Sequence, residues 1–203
     1  MNELDLLDWK RRVFALYAEV RASPDPEQAW QRWRRVREEL FATHPQSPLP
    51  FDRRAGVAGL DYFAYDPAFR VLADVESAPD EARGIAGSAG SAIVFRRFAR
   101  ARFELAGEEV ALELYWLEGY GGGVFLPFGD ATSGKEAYGG GRYLLDTVKG
   151  SDLGEGPDGR LVLDFNFAYN PSCSYDPRWA CPLTPSANRL SFAVRAGEKH
   201  TTV

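Results

Sequence analysis

Two stretches of the sequence carry polar residues of types and spacings that could perform chemistry. The first is a polar loop between two glycine clusters, Gly121–Gly123 and Gly139–Gly141. A loop that combines an acid, hydroxyls and basic groups could bind a polar or anionic small molecule, with Lys135 and Arg142 as the positive partners. The same residue types also close ordinary turns in a solvated hairpin, which is the simpler interpretation. The candidate binding residues of this loop are Asp130, Lys135, Arg142 and Tyr143.

The second stretch, DFNFAYNPSCSYDPRWACPLTPSANRL, fills positions 164–190. Its polar residues Asp164, Asn166 and Asn170 alternate with aromatic residues, so a strand would place them together on one face. They could line a polar cavity and bind a ligand there. Alternatively, they could hold the irregular proline-rich chain through hydrogen bonds to its backbone, and we favour that structural role.

The two cysteines, Cys173 and Cys181, also allow more than one interpretation. Free structural thiols need no partner, whereas a nucleophilic Cys173 requires a base, for which His44 is the candidate. His44 could instead complement the dipole at the C-terminus of a helix. The CxxC and HxxxH spacings are absent, so no metal site is predicted. In a reducing compartment we expect both thiols to be free, although their separation would permit a disulfide.

The familiar nucleotide-binding loops are not present in complete form. The segment GDATSGKE has the Walker spacing, but Glu136 stands where a magnesium-binding Ser or Thr is required. Glycines follow where a helix should begin, and no GxGxxG motif opens a βαβ unit. Nucleotide binding by either loop is therefore not expected, and the sequence names no cofactor.

Composition limits the class of protein. The chain has 203 residues, of which 45% are hydrophobic, enough for one sizeable core. Its formal net charge of −5 gives no general attraction to nucleic acid or to an anionic membrane. No apolar run approaches the roughly 20 residues that span a bilayer, and the acidic start MNELDLLDWKRR is unlike a signal peptide. We therefore expect a cytoplasmic protein that binds neither nucleic acid nor membrane, and its oligomeric state stays open.

The elements that would position these residues are helical at the front and strand-rich afterwards. Apolar residues recur at helical spacing over 5–20, and a second helix is predicted from a cap at Asp25, with Pro26 in the first turn, to about Thr43. In the later segments apolar and polar residues alternate. Short loops join these segments, which favours a mainly antiparallel sheet. Predicted strands cover 69–76, 91–105, 109–119, 123–128, 141–148, 159–169 and 189–197, with a loop at 77–91.

Several blocks of the sequence resemble a known family. HPQSPLPF, LDYFAYDPAFRV, FLPFGDATSGKEAYGGGRYL and the long segment from Asp164 to Lys199 are similar to successive blocks of domain-of-unknown-function family 1684 (DUF1684), found in bacteria and archaea. The resemblance covers about 5–199, and this sequence departs from the pattern at Phe167, Ser172 and Ser186. It implies a domain extent and no reaction, cofactor or catalytic residue.

Together these observations predict an α+β protein with a single domain over 1–203. A helical pair in 1–45 would pack on a curved, mainly antiparallel sheet, open barrel or sandwich-like, within a β-rich body at 60–199. We expect a small polar or anionic molecule to bind between the 128–143 loop and the 164–188 segment. The alternative is a hydrolase-like or other acid-base enzyme in the same pocket, with Asp130, Asp164, Cys173 and His44 as catalytic candidates. A third possible function is that of a structural or protein-interaction module that uses exposed tryptophan-rich helices.

Overall fold

The computed structural model describes residues 2–56, 59–90, 92–119 and 121–200. The chain begins with two helices, α1 (Glu3–Ala22) and α2 (Pro26–Thr43). Asn2 forms a capping box with Asp5 at the start of α1, and Asp25 accepts hydrogen bonds from two backbone N–H groups in the first turn of α2. Both predicted helices are confirmed. Start signals of this kind are local, so they can be read from the sequence.

Within the described residues, the chain continues with the strands β1 (Arg70–Ala86), β2 (Ala92–Leu105), β3 (Glu108–Leu117), β4 (Gly123–Phe128), β5 (Arg142–Asp146) and β6 (Leu161–Asp164). They form one sheet in the order β5-β4-β3-β2-β1-β6, in which every neighbouring pair is antiparallel. Short connections join β1 to β4 in succession, as in an antiparallel meander. The two helices and this strongly curved, nearly closed antiparallel sheet confirm the predicted α+β class.

The predicted loop at 77–91 is wrong over most of its length, because β1 continues to Ala86. The pairing of β1 with β2 shifts register between Ser77 and Glu81, so a bulge absorbs the proline that lies between them. Salt bridges tie this bulge to the sheet, with Arg96 Nη1 lying 2.6 Å from Asp80 Oδ1. Ser91, the last residue of the predicted loop, lies outside the described residues.

Two other predicted strands, at 159–169 and 189–197, differ from the structure. The strand predicted at 159–169 stops at Asp164, whose side chain accepts a hydrogen bond from the backbone N–H of Asn166 and caps a 3-10 turn, Phe165–Phe167. The proposed alternation of polar and aromatic faces is therefore wrong: Phe165 packs in the core between the sheet and the C-terminal segment, and Phe167 packs under the helices. The segment 189–197 forms no regular strand.

Apolar clusters hold the elements together, and the two largest lie on either side of the sheet. One joins residues of the sheet to Phe165 and to Val194 and Ala196 of the C-terminal segment. The other joins the helical pair to the opposite side of the sheet and includes Trp30 and Trp33, both buried. Because these tryptophans are used in packing, they do not provide the exposed surface on which the protein-interaction hypothesis relied. Among the described residues, neither helix has the combination of length and apolarity that a membrane span needs.

Candidate functional site

The predicted loop residues Asp130 and Arg142 meet in a buried ion pair. Arg142 Nη2 lies 2.5 Å from Asp130 Oδ2, and both side chains are at most 1% exposed. Asp130 also accepts from the backbone N–H of Thr132 at 2.6 Å through its other oxygen. Burial lowers the pKa of the Arg142 guanidinium, and the charge of Asp130 opposes that shift.

Arg142 also donates hydrogen bonds to backbone carbonyls of the C-terminal segment. It donates to the carbonyl of Val194 at 2.9 Å and to the carbonyl of Ala196, which are the backbone acceptors that a regular strand would have paired. Gly141, which precedes Arg142, allows a close approach to the neighbouring strand, because its φ is +92° and a Cβ there would lie 2.7 Å from the carbonyl of Phe128. This geometry is that of an internal clamp on the C-terminal segment.

The other two loop candidates have separate surroundings. Lys135 is exposed on the turn, where its backbone N–H donates to the carbonyl of Thr132 at 3.0 Å. Tyr143 is buried, donates its hydroxyl to the carbonyl of Pro182 at 2.6 Å and packs edge-on against Phe125. The loop is thus made mainly of turn and packing interactions, and its candidate residues have separate partners, apart from the pair of Asp130 and Arg142.

Asp164 and Asn166 lie together at the end of β6. Asn166 donates to the carbonyl of Asp66 at 2.8 Å and accepts from the N–H of Asp66 at 3.0 Å, so it holds the turn that precedes β1. Its own carbonyl accepts from the indole N–H of Trp30 at 2.8 Å. Asn166 therefore connects the sheet edge, the turn and α2, as the structural interpretation of this stretch required.

One oxygen of Asp164 remains without such a partner. Oδ1 accepts from the side-chain amide of Asn166 at 2.8 Å, whereas Oδ2 has no hydrogen bond with any residue that the structure describes. Arg70, directly opposite on β1, places its Nε 3.7 Å from Oδ2, which is within ion-pair range but beyond a good hydrogen bond. Burial raises the pKa of Asp164 to about 6.

Asp164 forms part of the wall of a cavity of about 410 Å³ between the helical pair and the β1–β6 edge of the sheet. This volume lies in the range of about 300–1,000 Å³ that is typical of small-molecule sites. We call it the Asp164 cavity. Its polar lining includes Arg21, Ser23, Arg70, Glu155 and Asp164, and Phe167 contributes to its apolar wall.

None of the four loop candidates, Asp130, Lys135, Arg142 and Tyr143, lines the Asp164 cavity. Sequence reasoning identified Asp164 but missed Arg70 and Glu155. A signal for Arg70 was available, because opposite charges near the ends of two predicted strands often pair across a sheet. Using that signal requires the strand order and the register, which the sequence did not provide.

Asn170 lies at a second, much smaller cavity of about 70 Å³ beneath the helices. Its amide donates to the carbonyl of Lys199 at 2.7 Å, and its backbone N–H donates to Glu198 at 2.9 Å. Glu198 is fully buried and also forms a salt bridge of 2.9 Å with Arg37 of α2. A volume of this size has room for a few water molecules but not for a typical ligand.

His44 and Cys173 do not form the predicted nucleophile–base pair. His44 ends α2 with its Nε2 3.1 Å from Asp8 and its Nδ1 accepting from the backbone N–H of Gln46 at 3.0 Å. Both ring nitrogens are therefore engaged at the helix terminus. The cysteines are free thiols, and Cys173 contacts Cys181 and Tyr138 instead. Within the described residues, no group of three His, Cys, Asp or Glu side chains is arranged to hold a metal ion.

The fold and its cavity define an α+β protein whose helical pair covers one side of a curved antiparallel sheet. The chain belongs to the family described as protein of unknown function (DUF1684), whose model matches residues 55–199, so the predicted family is confirmed. The chain is also similar to an uncharacterised protein of Haloarcula marismortui with a solution NMR structure. That protein is 35% identical, with a TM-score of 0.60, and the match covers 85% of this chain and 93% of that chain. No curated protein shows significant similarity to the sequence.

Proposed function

We propose that this protein binds a small polar molecule in the Asp164 cavity, with a ligand N–H or O–H donating to Oδ2 of Asp164. The observation that carries this proposal is a buried carboxylate oxygen, in the wall of a cavity of about 410 Å³, that accepts no hydrogen bond from the part of the chain that the structure describes. Leaving such an acceptor unsatisfied costs about 1–3 kcal/mol, which a ligand donor would recover. The proposal keeps the predicted binding function and the candidate Asp164, but the binding place is the β1–β6 edge of the sheet and not a pocket between the 128–143 loop and the 164–188 segment.

The charges around the cavity favour a ligand with two kinds of polar group. Asp164 offers an acceptor, whereas Arg70 and Arg21 lie in the same lining and offer donors. Arg70 is about one-third exposed, so it can turn towards a carboxylate or another acceptor on the ligand. A small hydroxy acid or an amide combines a donor and an acceptor in one molecule.

A second function, acid-base catalysis at the same cavity, is favoured by one observation. The pKa of Asp164 is raised to about 6, so this carboxyl changes protonation close to neutral pH. A catalytic acid or base is most effective when its pKa lies near the working pH. The enzyme hypothesis is therefore centred on Asp164, without Asp130, Cys173 or His44.

A cytoplasmic location is part of the proposal. It is supported by the two free thiols, since cysteines are kept reduced in the cytosol.

Protein-observed NMR titration with two defined probes tests the binding proposal. Glycolate carries a hydroxyl donor and a carboxylate, and acetate is its counterpart without the donor. We expect glycolate to shift the backbone amides of Arg70, Gly156 and Val162, and acetate to shift them at least about fivefold less at equal concentration, because it lacks a hydrogen bond worth about 1 kcal/mol. Acetamide, with an N–H donor, should behave like glycolate.

Matched variants connect the response to Asp164. Asp164→Asn should abolish the preference for glycolate over acetate, whereas Asp158→Asn, at an exposed salt bridge with Arg160, should leave it unchanged. Binding is refuted if no probe shifts the cavity amides, or if Asp164→Asn keeps the preference. A broad hydrolase screen separates the second function, since an activity lost in Asp164→Asn but present in Asp158→Asn would show catalysis rather than binding alone.

A further inference from the structure

The two cysteines lie in contact within the proline-rich segment, away from the Asp164 cavity. The backbone N–H of Cys173 points to the sulfur of Cys181 at 3.4 Å. Cys173 stands in a 3-10 turn, Ser172–Ser174, and is half-buried, whereas Cys181 is buried. One thiol of the pair is therefore accessible to a small reagent, and the other lies behind it.

The surroundings of the pair differ between the two sulfurs. The hydroxyl of Tyr138 lies 3.6 Å from the sulfur of Cys173. The backbone of Cys181 is fixed to the end of β1, with its N–H donating to Ser88 Oγ at 3.0 Å and its carbonyl accepting from the N–H of Ser88 at 2.9 Å. Cys181 is thus held in place by the turn that follows β1, whereas Cys173 lies on a 3-10 turn that is only partly buried.

From this arrangement we propose that Cys173 and Cys181 form a reactive dithiol that exchanges with low-molecular-weight disulfides. Cys173 is the attacking thiol, because it is the more accessible of the two. Cys181 is the resolving thiol, because it is already in contact with Cys173 and is shielded from bulk reagents. Disulfides in cytosolic proteins are typically transient and catalytic or redox-sensing, which fits a pair that is free in the resting protein.

The protonation of the two thiols supports these roles. A hydrogen bond from Cys181 lowers the pKa of Cys173 to about 6 against the opposing effect of burial, and contacts with Ser88 and Tyr138 act in the same direction as that bond. The same hydrogen bond, together with burial, raises the pKa of Cys181. At neutral pH the thiolate therefore resides on Cys173, which is the form that attacks a disulfide.

The exchange balances in two steps. The Cys173 thiolate attacks one sulfur of a disulfide RSSR, so its S–S bond breaks, a mixed disulfide with Cys173 forms and one thiolate RS⁻ leaves. Cys181 then loses its proton to that thiolate and attacks the sulfur of Cys173. This second step forms the Cys173–Cys181 disulfide and releases the other RS⁻. The protein dithiol is oxidised by two electrons, and RSSR is reduced to two thiols.

Glutathione disulfide is the probe, and intact mass spectrometry is the readout. The wild-type protein should lose two hydrogens on treatment, and peptide mapping should place the new bond between Cys173 and Cys181. Cys181→Ser cannot complete the second step, so it should accumulate one glutathionyl group on Cys173. Cys173→Ser should react at least about tenfold more slowly, because its remaining thiol is buried and protonated.

The pH dependence of alkylation provides a readout that does not depend on ring closure. Iodoacetamide should modify Cys173 of the wild type with a half-maximal rate near pH 6. Tyr138→Phe removes the hydroxyl contact and should move this midpoint upwards while the circular dichroism spectrum stays the same. The proposal is overturned if the wild type does not react, if it retains glutathione without closing the bond, or if alkylation has its midpoint above pH 8.

Discussion

Arg142 and Asp130 form an ion pair of 2.5 Å in the interior of the protein, twelve residues apart along the chain. The partners of Arg142 beyond Asp130 are backbone carbonyls of the C-terminal segment, including those of Val194 and Ala196. A charge in this position stabilises the fold only while all of its contacts are present. The pair should accordingly be a determinant of stability.

Arg142→Ala should lower the free energy of unfolding by about 3–5 kcal/mol, because the buried carboxylate of Asp130 would lose its counter-charge. Urea denaturation followed by tryptophan fluorescence measures the loss. Arg160→Ala is the control, since Arg160 pairs with Asp158 at an exposed site and should cost at most about 1 kcal/mol. Equal effects of the two variants would contradict the proposed clamp.

Gly197→Ala should destabilise the protein more than Gly159→Ala. The two glycines have nearly the same positive φ, +77° and +79°, so the backbone strain of an alanine is matched. They differ in space: a Cβ at Gly197 would lie 2.6 Å from the carbonyl oxygens of Phe165 and Ala168, whereas a Cβ at Gly159 would meet nothing within 4 Å. We expect about 1 kcal/mol for Gly159→Ala and at least about 2 kcal/mol more for Gly197→Ala by thermal unfolding. Similar melting temperatures for the two variants would show that the contact at Gly197 can relax.

Asp164 should make stability fall as the pH rises from about 4 to above 6. The pKa of this carboxyl is raised to about 6 in the folded protein, whereas a carboxyl in an unfolded chain has a pKa of about 3.9. Between these values the folded state binds the additional proton, so its stabilising contribution is complete below about pH 4 and is lost as the pH passes about 6. The loss is at most about 3 kcal/mol, because one pKa unit corresponds to about 1.4 kcal/mol.

Measurement of unfolding free energy at several pH values, for the wild type and for Asp164→Asn, isolates this contribution. The difference between the two proteins should change over this pH range in the direction that favours Asp164→Asn at higher pH. A difference that is constant with pH would place the pKa of Asp164 near its ordinary value.

The helical pair and the sheet should unfold together as one domain. Trp33 is fully buried among residues of both, including Phe167 at a ring separation of 5.3 Å, so Trp33→Ala should cost about 3–5 kcal/mol. Leu4→Ala on the exposed side of α1 should cost less than about 0.5 kcal/mol. Limited proteolysis can contradict this prediction. If residues 1–45 were removed and the thermal transition of the remainder stayed unchanged, the protein would have two domains.

The parts of the fold that were predicted correctly depend on local signals. Asp25 and Pro26 mark the start of α2 because a cap and a first-turn proline act within one turn. The end of β6 was missed although Asp164 is itself a capping residue, since the aromatic alternation that follows it is equally typical of a strand. The extension of β1 beyond Pro79 was missed because a bulge is stabilised by the neighbouring strand, which is distant in sequence.

Of the residues that line the Asp164 cavity, only Asp164 was predicted as a site residue. Asp164 was identified by its alternation with aromatic residues, which would place it on one face of a strand. Its cavity is formed with Arg70 and with the C-terminal end of α1, which the sequence does not connect. Arg142 and Asp130 were expected to converge on a ligand, and they converge on each other. Residue type alone does not distinguish these outcomes, because an arginine and an aspartate can each form charge-assisted hydrogen bonds with a ligand or with each other.

The clamp on the C-terminal segment also sets the order in which a newly made chain can become native. Arg37 in α2 and Arg142 in β5 both depend on residues between 194 and 198, through the carboxylate of Glu198 and the carbonyls of Val194 and Ala196. At about 5–20 residues per second, residues 194–198 follow the end of β5 by roughly 2–10 s, so Arg142 is made before those partners exist. The apolar face that Val194 and Ala196 finally cover therefore stays accessible until those residues have been made.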